Sequence, residues 1–401
     1  MKKIFICTIG LLALVAASGL AMDNVTVEIG LNGANTSNLL SDYSGVTQRS
    51  SMNTATVSLY PTAMARIDLK GEYTYYQELS DLTNYMIGGG VVFLPFDKDA
   101  PVTVHLSADF ETRRYRSSFL TFNSTDTWNA MASVGRQISP STHARSGLKY
   151  TASIYTDSDV PTKNTYQFFA GLSKSLGGTV TLDVEAGYSS GNYTYVDSAT
   201  FLDSIAPLPY DDIASGSEYD GAWIKDGTMS SLYFAPRLSF GLGRHTGVNL
   251  TYSYRSFADP DENVCMYGQR SGLTSQWSSD HDGSAVTLGL KTYLVPNFIL
   301  SAGAGYFDKV YFGHSLESIQ IGGNPPTPGA VIIGNDTAED GVLDREDKQT
   351  RVYLSIQLPL ASRTGPFIEP SLQVEYTNNT SSVYLYDYDD VTVTAGVKIK
   401  L

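Results

Sequence analysis

The final eleven residues, 391–401, read Val-Thr-Val-Thr-Ala-Gly-Val-Lys-Ile-Lys-Leu. Val391, Val393, Ala395, Val397, Ile399 and Leu401 occupy the odd places; Thr392, Thr394, Gly396, Lys398 and Lys400 occupy the even ones. A period of two puts the first set on one face of a strand and the second on the other. Lysines cannot be left in an apolar core, so the second face must meet water. The run is long for a strand of a soluble sheet, and close to the roughly 9–11 residues that a tilted strand needs to cross a bilayer.

The same alternation recurs along the chain. Val25, Val27, Ile29 and Leu31 share one face near the start. Val102, Val104, Leu106, Ala108 and Phe110 do so further on, as do Val180, Leu182, Val184, Ala186 and Tyr188. Ile368, Pro370, Leu372, Val374 and Tyr376 form the last such run before the terminal one. About sixteen runs can be counted by this rule. The fourth, near residues 84–95, is blurred by Gly88-Gly89-Gly90 and Val91-Val92. The tenth contains Pro236, which removes a ladder donor and predicts a bulge. The apolar alternation places the seventh run from Leu148, ends the thirteenth near Tyr306 and opens the fourteenth near Val352.

The connections alternate between short and long. Short turns fall near Pro61-Thr62, Ser139-Pro140-Ser141, Gly177-Gly178 and Pro296-Asn297, whereas residues 192–227, 259–281 and 312–346 make long excursions. A sandwich of two sheets has no reason to alternate loop length in this way. The expected fold is an all-β, antiparallel up-and-down transmembrane β-barrel with both termini on the short-turn side. The 27 tyrosines supply rings for the membrane interface: Tyr73, Tyr75, Tyr150, Tyr188, Tyr252, Tyr254, Tyr306 and Tyr376 fall toward the long-loop ends of their runs.

The first residues read as an export signal. Lys2 and Lys3 precede an apolar stretch, and Gly19-Leu20-Ala21 offers small residues for cleavage, so 1–21 is expected to be a signal peptide and 22–401 a single barrel domain. The formal net charge is −14, and losing two lysines with the signal makes it more negative still. Such acidity argues against a nucleic-acid partner, whose binding rests on neutralised phosphates. Cys265 alone remains after the signal, which excludes an internal disulfide or a cysteine-rich metal site.

In alternation and loop rhythm the whole mature chain resembles a Gram-negative outer-membrane β-barrel, broadly porin-like. The resemblance implies contact with outer-membrane lipid and passage of small hydrophilic solutes. One departure is the last residue: such barrels usually end in an aromatic, commonly Phe, and this chain ends in Leu401.

Strand parity assigns the inward charges. Candidate pore-lining residues are Asp109, Glu111, Arg113, Asp183, Glu185, Arg237, Arg255, Lys291, Arg351, Glu369 and Glu375. Two readings fit them: ion pairs across strands that merely solvate the interior, or a mixed electrostatic lining of an aqueous passage. The excess acid lies in the long loops. Residues 192–227 hold seven acids and one lysine, and 312–346 hold six acids and one arginine. An acidic extracellular vestibule would concentrate cations within a screening length of roughly 10 Å at 0.1 M salt.

Within the second acidic loop, Asp336, Asp340, Asp344 and Asp347 fall at the first, fifth, ninth and twelfth places of a calcium-loop spacing, with Gly341 at the sixth. Ala338 stands where a third-place oxygen ligand is expected, so calcium is a minor expectation. Two pairs touch on enzyme chemistry without a third partner. His105-Leu106-Ser107 turns both polar residues inward, and Asp280-His281-Asp282 lies in an outer loop. No catalytic residue is expected. The two functional readings that remain are a solute channel and a non-conducting barrel whose acidic loops bind a surface partner or polymer.

Overall fold

The computed structural model describes residues 25–37, 47–95, 100–116, 124–155, 163–193, 227–257, 282–295, 297–315, 342–360, 367–382 and 387–400. Sixteen strands account for nearly all of them. They run β1 (Val25–Thr36), β2 (Gln48–Thr62), β3 (Ala65–Tyr76), β4 (Asn84–Phe93) and β5 (Val102–Tyr115). Next come β6 (Thr125–Ser139), β7 (Thr142–Tyr155), β8 (Lys163–Gly177), β9 (Val180–Tyr193), β10 (Gly227–Leu242) and β11 (Thr246–Phe257). The last five are β12 (Asp282–Val295), β13 (Phe298–Ser315), β14 (Val342–Gln357), β15 (Phe367–Ser381) and β16 (Tyr388–Lys400).

Each strand pairs antiparallel with its sequence neighbours, and β1 pairs with β16, so the sheet is a closed ring. The seam between first and last strand runs from Glu28 opposite Lys400 to Thr36 opposite Thr392. Closure satisfies every strand from both sides, the condition for putting strands into lipid. The odd residues of β16 do face outward: Val391 and Val393 are exposed on the side where a bilayer would lie. Trp128, Leu148, Phe168, Leu232 and Leu288 are likewise exposed on the outer face. Tyr75, Tyr188, Tyr252, Tyr254, Tyr306 and Tyr376 stand on that face toward the long-connection ends. A ring with an apolar outer belt, short turns at one end and long connections at the other is an outer-membrane β-barrel.

The blurred fourth run is a regular strand. Tyr85, Ile87, Gly89, Val91 and Phe93 face outward, in register with the outward set of β3. Gly88 and Gly90 face the lumen because nothing larger fits there. A Cβ on Gly88 would lie 2.7 Å from the Phe110 carbonyl oxygen, and one on Gly90 would lie 2.9 Å from Asp109 Cβ. The glycines that spoil the alternation are thus the price of crowding on the inner wall.

The bulge expected at Pro236 does not form. Phe234 pairs with Tyr254 and Arg237 with Thr251 in one unbroken register. Ala235 and Pro236 simply drop out of the pairing toward β11, while both stay paired with β9. The missing proline N–H costs a rung on one side and leaves the register intact. Several strands also extend further than the apolar alternation predicts. β7 opens at Thr142, β13 continues to Ser315 and β14 starts at Val342. At and beyond the headgroup level, toward either end of the barrel, both faces of a strand can be polar, so the alternation that marks a strand is absent there.

Candidate channel lining

Residues that alternate with the outward set line the inside of the ring, and their charges sort into three groups. On β3–β5, Lys70 Nζ lies 3.5 Å from Glu111 and Arg113 Nη2 lies 3.4 Å from Glu72. Arg113 also donates to Asn84 Oδ1 at 3.1 Å, and Asp109 accepts from Asn129 at 2.9 Å. On β7–β10, Arg145 Nη2 lies 2.8 Å from Glu185 and 3.4 Å from Asp183. Arg237 reaches the other oxygen of Asp183 at 3.6 Å, and the Tyr233 hydroxyl donates to Glu185 at 3.0 Å. On β14–β16 and β1, Arg351 pairs with Glu375, and Lys398 Nζ lies 3.0 Å from Glu28.

Four of these contacts are made over an intervening strand, Lys70–Glu111 and Arg113–Glu72 over β4 and Arg145 with Asp183 and Glu185 over β8, and in two of them a glycine stands between the partners. Lys70 and Glu111 both sit opposite Gly88, and Arg145 and Glu185 both sit opposite Gly171. The Arg145 side chain lies over Gly171, where a Cβ would come within 3.1 Å of Nε. Glycine on the middle strand removes the side chain that would otherwise stand between the partners.

Of the remaining sequence candidates, Glu369 sits opposite Lys398 in the register. Lys291 is exposed and lies 5.7 Å from the centroid of the Tyr293 ring. Arg255 is buried at the end of β11. Arg145 was not among the candidates. The apolar run of β7 begins only at Leu148, so parity alone gave no reason to extend the strand back to it. His105 lies opposite Ser133 with Ser107 two places along the same face, and no third partner joins them among the described residues. Asp280 and His281 lie outside the described residues; Asp282 opens β12.

Acids and bases along the wall are not equally presented to water. Arg145 and Arg237 are 42% and 54% exposed, whereas their shared acid Asp183 is 14% exposed. Lys149, Lys291, Lys398 and Lys400 are also exposed, while Asp68, Glu72, Asp109, Glu111, Glu369 and Glu375 are all half-buried. At these positions the longer bases carry their charge past the short carboxylates into the water, whereas Arg113 and Arg351 stay half-buried beside their acids and Arg255 is buried.

Access to water also changes along the barrel. Toward the long-connection end, the inward residues Gln48, Asn84, Asn379 and Lys309 are 0%, 1%, 2% and 6% exposed. Lys309 donates to Gln349 at 3.3 Å, and Gln349 donates to the Tyr388 hydroxyl at 2.9 Å. This dry polar collar covers the lumenal face of β1–β4, β10, β11 and β13–β15 at their long-connection ends, in contrast to the wet wall nearer the short turns.

Of the calcium-loop spacing, Asp336 and Asp340 lie outside the described residues, while Asp344 and Asp347 belong to β14. Asp347 is buried and pairs in register with Lys309 and Ser381. Among the described residues, no group of three or more His, Cys, Asp or Glu side chains is placed to hold a metal.

No family model matches the sequence, and no curated protein does. Solved structures of similar architecture include OccK3 (OpdO) of Pseudomonas aeruginosa, at 9% identity over 94% of this chain and 95% of that one, TM-score 0.47. The outer-membrane protein OpdK of the same organism is similar at 11% identity, over 94% and 99% of the two chains, TM-score 0.47. OccAB1 of Acinetobacter baumannii is similar at 8% identity, over 96% and 98%, TM-score 0.47. The barrel assignment itself rests on the closed ring of strand pairings.

Proposed function

We propose that this barrel is an outer-membrane channel for small hydrophilic solutes, with an acidic vestibule at its outer mouth. The observation that carries the reading is the inner wall. It presents ionised side chains to water, paired across strands, where a barrel filled by its own core would present packed apolar ones. The acids of 192–227 and 312–346 supply the vestibule charge, read from the sequence. Single-channel recording in a planar bilayer tests the proposal. Discrete ion-conducting steps from the folded barrel are expected, and a folded, inserted protein that carries no current would sink it.

A second reading is favoured by the dry collar at the outer ends of the strands, where Gln48, Asn84, Lys309 and Gln349 are withdrawn from water. In that reading the barrel does not conduct and its acidic outer segments hold a surface partner or polymer. The same recording separates the two.

A further inference from the structure

The outer face of the barrel carries two cations where lipid is expected. Arg136 on β6 shares its face with exposed Trp128, Val134 and Ile138, and Lys174 on β8 shares its face with Phe168, Leu172 and Leu176. Both bases are exposed, and neither has an ion-pair or hydrogen-bond partner among the described residues. Among the described strands they are the only charges on the outer face of the short-turn half. At the opposite end the outward pair Arg114 and Asp126 neutralise each other at 2.7 Å.

The two bases belong to one site. Arg136 sits opposite Ala144 of β7, and Lys174 sits opposite Thr142 of the same strand. Two strand spacings, about 10 Å, separate β6 from β8, a distance that two long side chains can close upon one headgroup. Between them, β7 contributes only Thr142, Ala144 and Ser146 to the outer face, a low floor with two hydroxyls. Toward the turns, Ile138 and Leu176 project at 63% and 54% exposure, each two residues beyond its base. The sequence repeats the arrangement as Val134-Gly-Arg136-Gln-Ile138 and Leu172-Ser-Lys174-Ser-Leu176.

We infer that this notch binds the phosphate headgroup of an anionic glycerophospholipid in the periplasmic leaflet. Arg136 and Lys174 hold the phosphate, Thr142 offers it a hydroxyl, and Val134 and Leu172, on the membrane side of the two bases, contact the acyl chains. Two unpaired cations at the membrane interface complement one anionic headgroup, and a zwitterionic lipid offers no net charge to match them. The inference depends on the barrel and its orientation, and is independent of whether the barrel conducts.

The test is native mass spectrometry of the full-length protein extracted from vesicles of equimolar phosphatidylglycerol and phosphatidylcholine. Wild type should retain phosphatidylglycerol in preference to phosphatidylcholine by about tenfold, and Arg136→Gln with Lys174→Gln should lose that preference. Lys149→Gln, which removes a base from the inner face of β7, should keep it. Folding of each variant is verified by its heat-dependent gel mobility, and either single variant replaces the double one if that fails to fold. Equal retention of the two lipids by wild type would overturn the inference. So would an unchanged preference in the Arg136 and Lys174 variants, or a loss matched by Lys149→Gln.

Discussion

Arg145 Nη2 lies 2.8 Å from Glu185 Oε2 although the two residues stand on β7 and β9, with β8 between them. The contact exists because β8 presents Gly171 at that level. Gly171→Val would put a branched side chain under the guanidinium and push it off both Glu185 and Asp183. The pair is partly exposed, so the stability cost of losing it is modest, about 0.2–1 kcal/mol. Strand crowding adds about 1–3 kcal/mol. A double-mutant cycle over Arg145→Ala and Glu185→Ala in wild-type and Gly171→Val backgrounds checks this: the coupling should vanish in the variant.

Asp183 is the shared acid of Arg145 and Arg237, so Asp183→Asn should free two guanidinium charges that already stand in water. In a conducting barrel the reversal potential in a salt gradient should move toward anion preference, and Arg145→Gln should move it the other way. An unchanged reversal potential in both variants would mean that this wall does not line the conducting path.

The seam between the two ends of the chain is fastened on the extracellular side by Asp390. Its Oδ1 accepts from the Thr36 hydroxyl at 2.7 Å and from the Ser37 hydroxyl at 3.0 Å. The Ser37 hydroxyl oxygen in turn accepts from the Val391 N–H at 2.7 Å. Hydrogen bonds to a charged acceptor contribute about 1.5–3 kcal/mol each when they are protected from water, and less in this partly exposed setting. Asp390→Ala should therefore lower the temperature at which the barrel loses its compact gel mobility. Asp387→Ala, in an exposed residue just before β16, serves as the comparison and should leave that temperature unchanged.

Gly88→Ala and Gly90→Ala should each destabilise the barrel by about 1–3 kcal/mol, because the added methyl meets the Phe110 carbonyl or Asp109 Cβ. Gly178→Ala, in a turn where nothing lies within 4 Å of the new atom, should stay within about 0.5 kcal/mol of wild type. Urea midpoints of the protein refolded into vesicles measure both.

The dry collar offers a handle on the outer mouth. Lys309→Ala removes a buried donor to Gln349 and should cost about 1–3 kcal/mol. If the collar narrows the passage, the same variant should also raise single-channel conductance. A destabilised variant with unchanged conductance would assign the collar a purely structural role.

Where apolar alternation is strong, the chain itself dictated the outcome. Val391 to Ile399 and Val180 to Tyr188 could only be amphipathic strands, since a period of two is a local property of the backbone. The number of such runs and the rhythm of their connections sufficed for a closed antiparallel ring. Local pattern did not reach Arg145, the strand character of Asp344 and Asp347, or the regular course of β4 through three glycines. Those features lie where both strand faces are polar or where glycine has no side chain to declare a face. The meeting of Lys70 with Glu111, and of Arg145 with Glu185, depends on the register of three strands at once. The terminal strand illustrates the division: its sequence fixes which face meets lipid. Its partner, however, begins more than 350 residues earlier, at Glu28 opposite Lys400, and only closure of the ring brings the two together. Register is a non-local quantity, and tertiary structure alone decides it.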